Sequence, residues 1–315
     1  MLKINFMFYN IEHQMITLKQ ITYSLAVQKT LHFKKAAELC FISPSNLSNA
    51  INEMELQLGF QVFERTNKQV MITASGKSFL KKAKEIKLHL DDISLIGSEN
   101  RLPLSTPISI GIIPTISPYL LPIVLPTLKK KYPNLKLNII EAQSKELITK
   151  VKNGDIDTAI LALPYNLDGL LAFKFWQEDF YFVTHIDNNN FDFKNSEIKA
   201  KELEKSELML LEDGHCLKEH ALTACKISNE GQYTMKASSL NTLIQLVAGK
   251  MGSTLIPQMA LKQLLKSNDF LKRAHLNEPG PHREIALIIR QNYAGAKNIE
   301  LLCNLFKREL TKIEL

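Results

Sequence analysis

Ile108 to Leu128 runs for twenty-one residues without a charged side chain, long enough in principle to cross a bilayer as a helix. The same stretch holds Pro114, Pro118, Pro122 and Pro126. Each interior proline removes a hydrogen bond and costs a helix about 3 kcal/mol, so four of them argue against a lipid-exposed span. The stretch reads as a buried strand, Ile108 to Ile113, then a loop and a short helix started by proline. Beyond it, short apolar runs alternate with helical patterns. Strands are expected at 108–113, 135–141, 158–163, 179–185, 208–211, 253–256 and 284–290. Helices are expected near 119–131, 144–152, 199–205, 216–225, 239–249, 258–266 and 296–311. This alternation implies parallel sheets, and the strand count suits two α/β lobes joined by crossing strands around a ligand cleft.

The first ninety residues follow a different rule. Leu18, Ile21, Leu25 and Ala26 mark an amphipathic helix; Ala36-Ala37 allows close packing of a second; Ser43-Pro44 marks a turn. Leu47, Ile51, Met54 and Leu58 then recur at helical spacing until Gly59 stops the run. Together these read as a helix-turn-helix, with Val62–Arg65 and Val70–Ile72 as the strands of a wing. Thr73 caps a long helix whose Phe79, Ala83, Ile86, Leu90 and Ile93 form a heptad seam suited to dimerisation. Ser98 to Pro107 is the linker candidate.

Net charge is +7, and residues 1–90 carry twelve Lys/Arg against six Asp/Glu, so nearly all the surplus lies in the first module. A basic module on a nearly neutral body points to an anionic polymer. Four unevenly spaced cysteines do not form a secreted disulfide framework, and no signal-like segment opens the chain, so a cytoplasmic location is expected, with no membrane partner.

Leu211 to Cys225 carries the chemistry. It sets Cys216 after His215 and before Lys218 at an expected helix start, where cations and free N–H groups favour a thiolate. Nine residues of helix would hold Cys216 and Cys225 about 13.5 Å apart along the axis. A disulfide needs Cα atoms about 4.4–6.8 Å apart, so oxidation and an intact helix would exclude each other. Cys40 and Cys303 read as ordinary packing. No His-x₃-His or Cys-x₂-Cys spacing suggests a metal, and neither a Gly-rich phosphate loop nor a G-x-S-x-G elbow suggests an enzyme; no cofactor is expected.

Phe33 to Gly76 resembles the winged helix-turn-helix of LysR-type transcriptional regulators through Ala36-Ala37-Glu38, Ser43, Leu47-Ser48, Ile51, Glu55, Leu58-Gly59, Phe63-Glu64-Arg65 and Thr73-Ala74-Ser75-Gly76. Gly111 to Pro122, Glu141-Ala142-Gln143, Leu211 to Cys225, Ile256-Pro257 and Arg283 to Arg290 resemble the peroxide-sensing members of that family, so the likeness spans roughly residues 16–310. It implies an N-terminal all-α winged helix-turn-helix with a long linker helix, then a C-terminal α/β two-lobed regulatory domain like the periplasmic binding proteins. The implied divisions are 1–14 as an extension, 15–73 as the DNA-binding domain, 74–106 as linker helix and hinge, and 107–315 as the regulatory domain. Lobe I would take about 107–180 and 275–315, and lobe II about 181–274. Met15 is an alternative initiator, which would leave 1–14 untranslated.

The resemblance also implies Cys216 as peroxidatic and Cys225 as resolving cysteine, with Thr115, Ser144, His215 and Arg283 lining a peroxide pocket. Double-stranded DNA would meet Lys34, Lys35, Ser43, Ser45, Asn46, Ser48, Asn49, Asn52, Arg65 and Lys68. Further implied partners are hydrogen peroxide, RNA polymerase, a disulfide reductant and other copies of the chain in a homodimer or homotetramer. Ser144 stands where the family commonly has threonine, and Lys218 and Glu219 replace a commoner Arg and Asp. Pro44, Asn49, Asn52 and Glu53 depart from the usual recognition helix and are expected to alter base preference. Two rival functions are a regulator answering to a small organic effector in the lobe cleft and a thiol peroxidase, against which the helix-turn-helix argues.

Overall fold

A computed structural model describes residues 16–66, 69–96, 103–191, 196–225, 236–266 and 268–312. Residues 1–14, Lys68 and the first half of the expected linker, 98–102, lie outside them. The chain divides into two compact units, 1–94 and 95–315.

In the first unit, α1 (Leu18–Thr30), α2 (Phe33–Leu39) and α3 (Pro44–Leu58) enclose a core of Val27, Ala36, Ala37, Leu47, Ile51 and Met54. Thr17 and Gln20 form a capping box on α1, and the Ser43 hydroxyl accepts from Asn46 N at the start of α3. Gly59 ends α3 with φ +74°, a conformation that suits glycine. Strands β1 (Phe63–Arg65) and β2 (Val70–Ile72) pair antiparallel as the wing. Helix α4 (Ala74–Ile96) starts with Gly76 N donating to the Thr73 hydroxyl. Its buried residues include Leu80, which the heptad seam passes over, and Ala83; Ile86 and Ile93 of the seam are exposed.

The second unit holds two mixed sheets. The first has the order β4 (Leu137–Glu141), β3 (Ile108–Ile112), β5 (Thr158–Leu163), β13 (Arg283–Ile289), β6 (Leu171–Glu178). The second has the order β10 (Lys236–Ala237), β9 (Leu208–Leu211), β11 (Ser253–Pro257), β7 (Phe180–His185), β12 (Leu271–Leu276), β8 (Glu197–Ile198). Entirely parallel sheets were the expectation, and the structure corrects it. β13 runs antiparallel to β5 and β6, and β7 antiparallel to β11 and β12. These are the strands that enter each sheet after the chain has crossed from the other. β6 and β12 escape the apolar-run criterion because charged or polar residues interrupt them, as in Leu171-Ala-Phe-Lys-Phe-Trp-Gln-Glu178.

Helices α5 (Ser117–Lys131), α6 (Ser144–Asn153), α7 (Cys216–Cys225), α8 (Leu240–Ala248), α9 (Gln258–Leu265) and α10 (Ala296–Leu310) cover the sheets. Residues 200–205 form a 3₁₀ turn instead of the expected α-helix. Helix α5 continues through Pro122 and Pro126, its buried Tyr119, Leu120, Val124 and Leu128 offsetting the lost bonds. A Cβ on Gly111 would stand 2.5 Å from Leu147 Cδ2, so β3 and α6 need glycine to approach this closely. No described helix is long and apolar enough to cross a membrane.

Candidate functional site

The chain crosses between sheets at Asp179 and again between Leu276 and Arg283, and Thr115, Ser144 and Cys216 gather around Arg283 at the second crossing. Strand β9, buried throughout, runs into Glu212–His215 and then α7. Gly214 has φ +98°, and a Cβ there would lie 2.5 Å from Gln143 Oε1, so a glycine directs this entry. Cys216 opens α7 with 3% of its surface exposed.

The thiolate expectation meets a correction here. Burial pushes the Cys216 thiol up, against the Ser144 hydroxyl and the Arg283 guanidinium, which favour the ionised form. Lys218 is committed elsewhere: its Nζ donates to Asp213 Oδ1 at 2.5 Å, and with Lys236 it holds that carboxyl down at about 2. His215 is half-buried, and burial lowers its pKa, so it favours a neutral ring over a cation.

Thr115, Ser144 and Arg283 do converge with Cys216. Arg283 Nη1 donates to Thr115 Oγ1 and Nη2 to Thr115 O, both at 3.3 Å. Its Nε donates to Glu178 Oε1 at 2.6 Å in a pair with no side-chain exposure. Met259 N occupies the other oxygen, Glu178 Oε2, at 2.7 Å. Glu178 ends β6 and Met259 lies in α9, so this carboxylate ties elements flanking the crossover together. Ser144, the first residue of α6, is 1% exposed. Its hydroxyl is near enough to favour the Cys216 thiolate, yet Oγ makes no hydrogen bond of ordinary geometry with a described residue. Burial pushes Tyr119, beside Arg283, up to about 12.

The sequence reading missed two residues, Glu178 and His220. Glu178 closes an alternating strand, where a buried carboxylate opposite an arginine leaves no local signature. His220 follows Cys216 by four residues, one turn along the same face, and that spacing was a usable signal. The ring is 4% exposed; Nε2 stands 2.9 Å from Pro164 O, and buried Nδ1 has no partner among the described residues. Cys225 ends α7, 5% exposed, with burial and the nearby Glu278 carboxylate pushing its thiol up to about 12. Cys303 is buried with Sγ 3.8 Å from Phe173 O, and Cys40 is half-buried at the end of α2.

On the first unit, Lys34, Lys35, Ser43, Ser45, Asn46, Asn49 and Asn52 are exposed and Ser48 is partly so. Arg65 is not a free cation. Nη1 donates to Ser48 Oγ at 2.8 Å, Nη2 to Asn52 Oδ1 at 2.7 Å, and the guanidinium lies 3.9 Å from the Phe33 ring centre. No group of three metal-binding side chains occurs among the described residues.

The bacterial regulatory helix-turn-helix of the lysR family matches residues 18–77, and the LysR substrate binding domain matches 103–311. The chain belongs to the LysR family of bacterial transcriptional regulators. An HTH-type transcriptional regulator, EstR of Acinetobacter baylyi, is 34% identical over 93% of this chain and 96% of its own length. The DNA-binding transcriptional dual regulator OxyR of Escherichia coli is 30% identical over 87% of this chain and 90% of its own. Among solved structures, a full-length cysteine-to-aspartate variant of Pseudomonas aeruginosa OxyR matches with TM-score 0.77 and 27% identity, covering 93% of this chain and 95% of that one. A cysteine-to-serine variant of Corynebacterium glutamicum OxyR with H2O2 bound matches with TM-score 0.64 and 30% identity, covering 95% and 94%. This LysR regulator therefore carries an N-terminal helix-turn-helix domain and a C-terminal two-lobed regulatory domain, as the OxyR structures do.

Proposed function

We propose that this LysR regulator senses hydrogen peroxide through Cys216 and converts oxidation into altered DNA binding through a Cys216–Cys225 disulfide. The observation that carries the reading is the buried thiol at the head of α7, beside the Ser144 hydroxyl, which has no hydrogen-bond partner among the described residues, and the fixed Thr115–Arg283–Glu178 chain. A small hydrogen-bonding molecule brought to these groups would meet two hydroxyls and an arginine placed for the hydroxide that leaves it. Cys216 sulfur attacks one peroxide oxygen, the O–O bond breaks, and sulfenic acid and water result. Cys225 sulfur then displaces the sulfenyl oxygen as a second water. The two thiols have then given two electrons to peroxide, and a disulfide reductant returns two electrons and two protons to restore them.

Helix α7 holds the cysteines about 13.5 Å apart along its axis, so bridging requires the helix to come apart. The lobes would shift, and with them the spacing of DNA-binding heads in a homodimer or homotetramer. Ser43, Ser45, Asn46, Ser48, Asn49 and Asn52 on or capping α3 would face the DNA grooves, with Lys34, Lys35 and Lys68 on phosphate. RNA polymerase would read the changed arrangement, in the cytoplasm.

Mass spectrometry of thiol-trapped protein after substoichiometric peroxide tests the proposal. A Cys216–Cys225 link with Cys40 and Cys303 reduced is expected; Cys303 in the dominant disulfide would overturn it. A second reading is a small organic effector in the lobe cleft, since the relatives include EstR, which is named as a transcriptional regulator and not as a peroxide-inducible activator. Saturable ligand binding to protein whose cysteines stay reduced under peroxide would decide for it.

A further inference from the structure

A buried thiol reacts only after losing its proton, and the pocket must say where that proton goes. Of the two neighbours expected to act as cations, Lys218 is paired with Asp213, and the half-buried His215 ring has the Glu212 carboxylate as its charged neighbour and is not among the groups acting on the thiol. Both oxygens of Glu178 are occupied, by Arg283 Nε and Met259 N. The Ser144 hydroxyl can relay a proton but is no base at neutral pH.

His220 has the missing property. A carbonyl oxygen only accepts, so the 2.9 Å contact with Pro164 O places the ring proton on Nε2. Nδ1 is then a bare lone pair, buried and without a donor among the described residues. A buried acceptor left without a protein donor is costly to a fold, and a purely structural histidine gains nothing by it. It sits on the Cys216 face of α7, one turn on. Burial and the Arg283 guanidinium keep the resting ring neutral and thus able to accept.

We propose that His220 Nδ1, which makes no direct hydrogen bond to Cys216, takes the proton of that thiol across one intervening water or peroxide molecule and hands it to the oxygen that departs when peroxide is cleaved. The thiolate forms beside Arg283 and the new imidazolium. Sulfur bonds to one peroxide oxygen as the O–O bond breaks; the departing hydroxide takes the proton from Nδ1 and leaves as water. Cys–SH and H2O2 become Cys–SOH and H2O, sulfur losing two electrons to peroxide, and the imidazole returns unchanged. Each turnover of the sensor thus needs no ionised thiol at rest, which reconciles a protonated Cys216 with peroxide reactivity. The ionisable groups that face Cys216 and His220 are Glu219 on α7, Tyr165 beyond β5, and Arg283 with its neighbours Glu178 and Tyr119.

This inference rests on the peroxide-sensing reading, and one experiment separates the two. Sulfenic acid at Cys216 would be trapped with dimedone in full-length Cys225→Ser, with and without His220→Gln, from pH 6 to 9. Glutamine keeps an N–H for Pro164 O but cannot hold a proton. His220→Gln should react about 10²–10⁴-fold more slowly at pH 7. Its rate should climb about tenfold per pH unit as thiolate accumulates, while the parent stays level once the imidazole is neutral. A His220→Gln rate within threefold of the parent, or a slower one with the parent's level profile, would overturn the role of His220. No sulfenic acid in the parent would instead overturn the sensing function itself. Should His220→Gln fail to fold, the parent's profile decides: level supports the proposal, and a tenfold rise per unit contradicts it.

Discussion

Arg65 on the wing and Arg283 at the lobe crossover each hold a small polar cluster, and water separates their consequences. The Arg65 side chain is 31% exposed, and its partners Ser48 and Asn52 are neutral, with the Glu55 carboxylate 4.0 Å away. The Arg283 side chain is fully buried, and its principal partner is a carboxylate equally buried at 2.6 Å. Removing an exposed group returns its partners to solvent. Removing a buried one strands a charge, so the same residue type anchors a surface in one unit and a hinge in the other.

Arg283→Ala should therefore cost about 3–5 kcal/mol of stability by leaving the Glu178 charge unpaired, whereas Arg65→Ala should cost about 1 kcal/mol or less. Chemical denaturation of the two variants checks this; equal losses would break the contrast. A paired change, Arg283→Met with Glu178→Leu, should recover much of the stability while abolishing the proposed peroxide site.

Arg65→Ala should act instead on DNA. Because its guanidinium is engaged with Ser48 and Asn52, loss of Arg65 should release those side chains and change base preference by about 1–3 kcal/mol at the bases they meet. The salt dependence of binding would stay close to the parent's. A uniform loss across sequences, with the log–log salt slope reduced by about 0.9, would make Arg65 a phosphate contact instead.

A smaller effect concerns the far end of α7. The Cys225 thiol, ordinarily near 9, is raised to about 12 in the folded chain, so the fold binds this proton more tightly than the unfolded chain does. That stabilisation is fully present below pH 9 and is lost as pH rises from about 9 to about 12. Melting temperatures of Cys225→Ser and the parent should thus converge across this range, and a constant gap would argue against it.

How legible each region was follows from the same contrast. The helix-turn-helix was readable because capping and packing are local: Ser43 caps α3, Gly59 stops it, and Leu47, Ile51 and Met54 face the core. Residues 216–225 declared their helix by pattern, and Thr115, Ser144 and Arg283 were reached through resemblance. Strand direction was not legible, because β13 and β7 owe theirs to long crossovers between sheets. The state of Cys216 was not legible either. Proximity in sequence put Lys218 and His215 beside it, whereas Asp213 claims Lys218, and burial outweighs the rest. Glu178 is more than a hundred residues from Arg283, and no local pattern joins them.

The central claim is that a completed bridge, and not oxidised sulfur alone, changes DNA binding by opening α7. DNase footprinting of oxidised Cys225→Ser beside oxidised wild type tests it most directly, since this variant can form sulfenic acid but no Cys216–Cys225 bond. The expected result is the reduced footprint for Cys225→Ser and a shifted one for wild type. A full shift in Cys225→Ser, without the bridge, would contradict it.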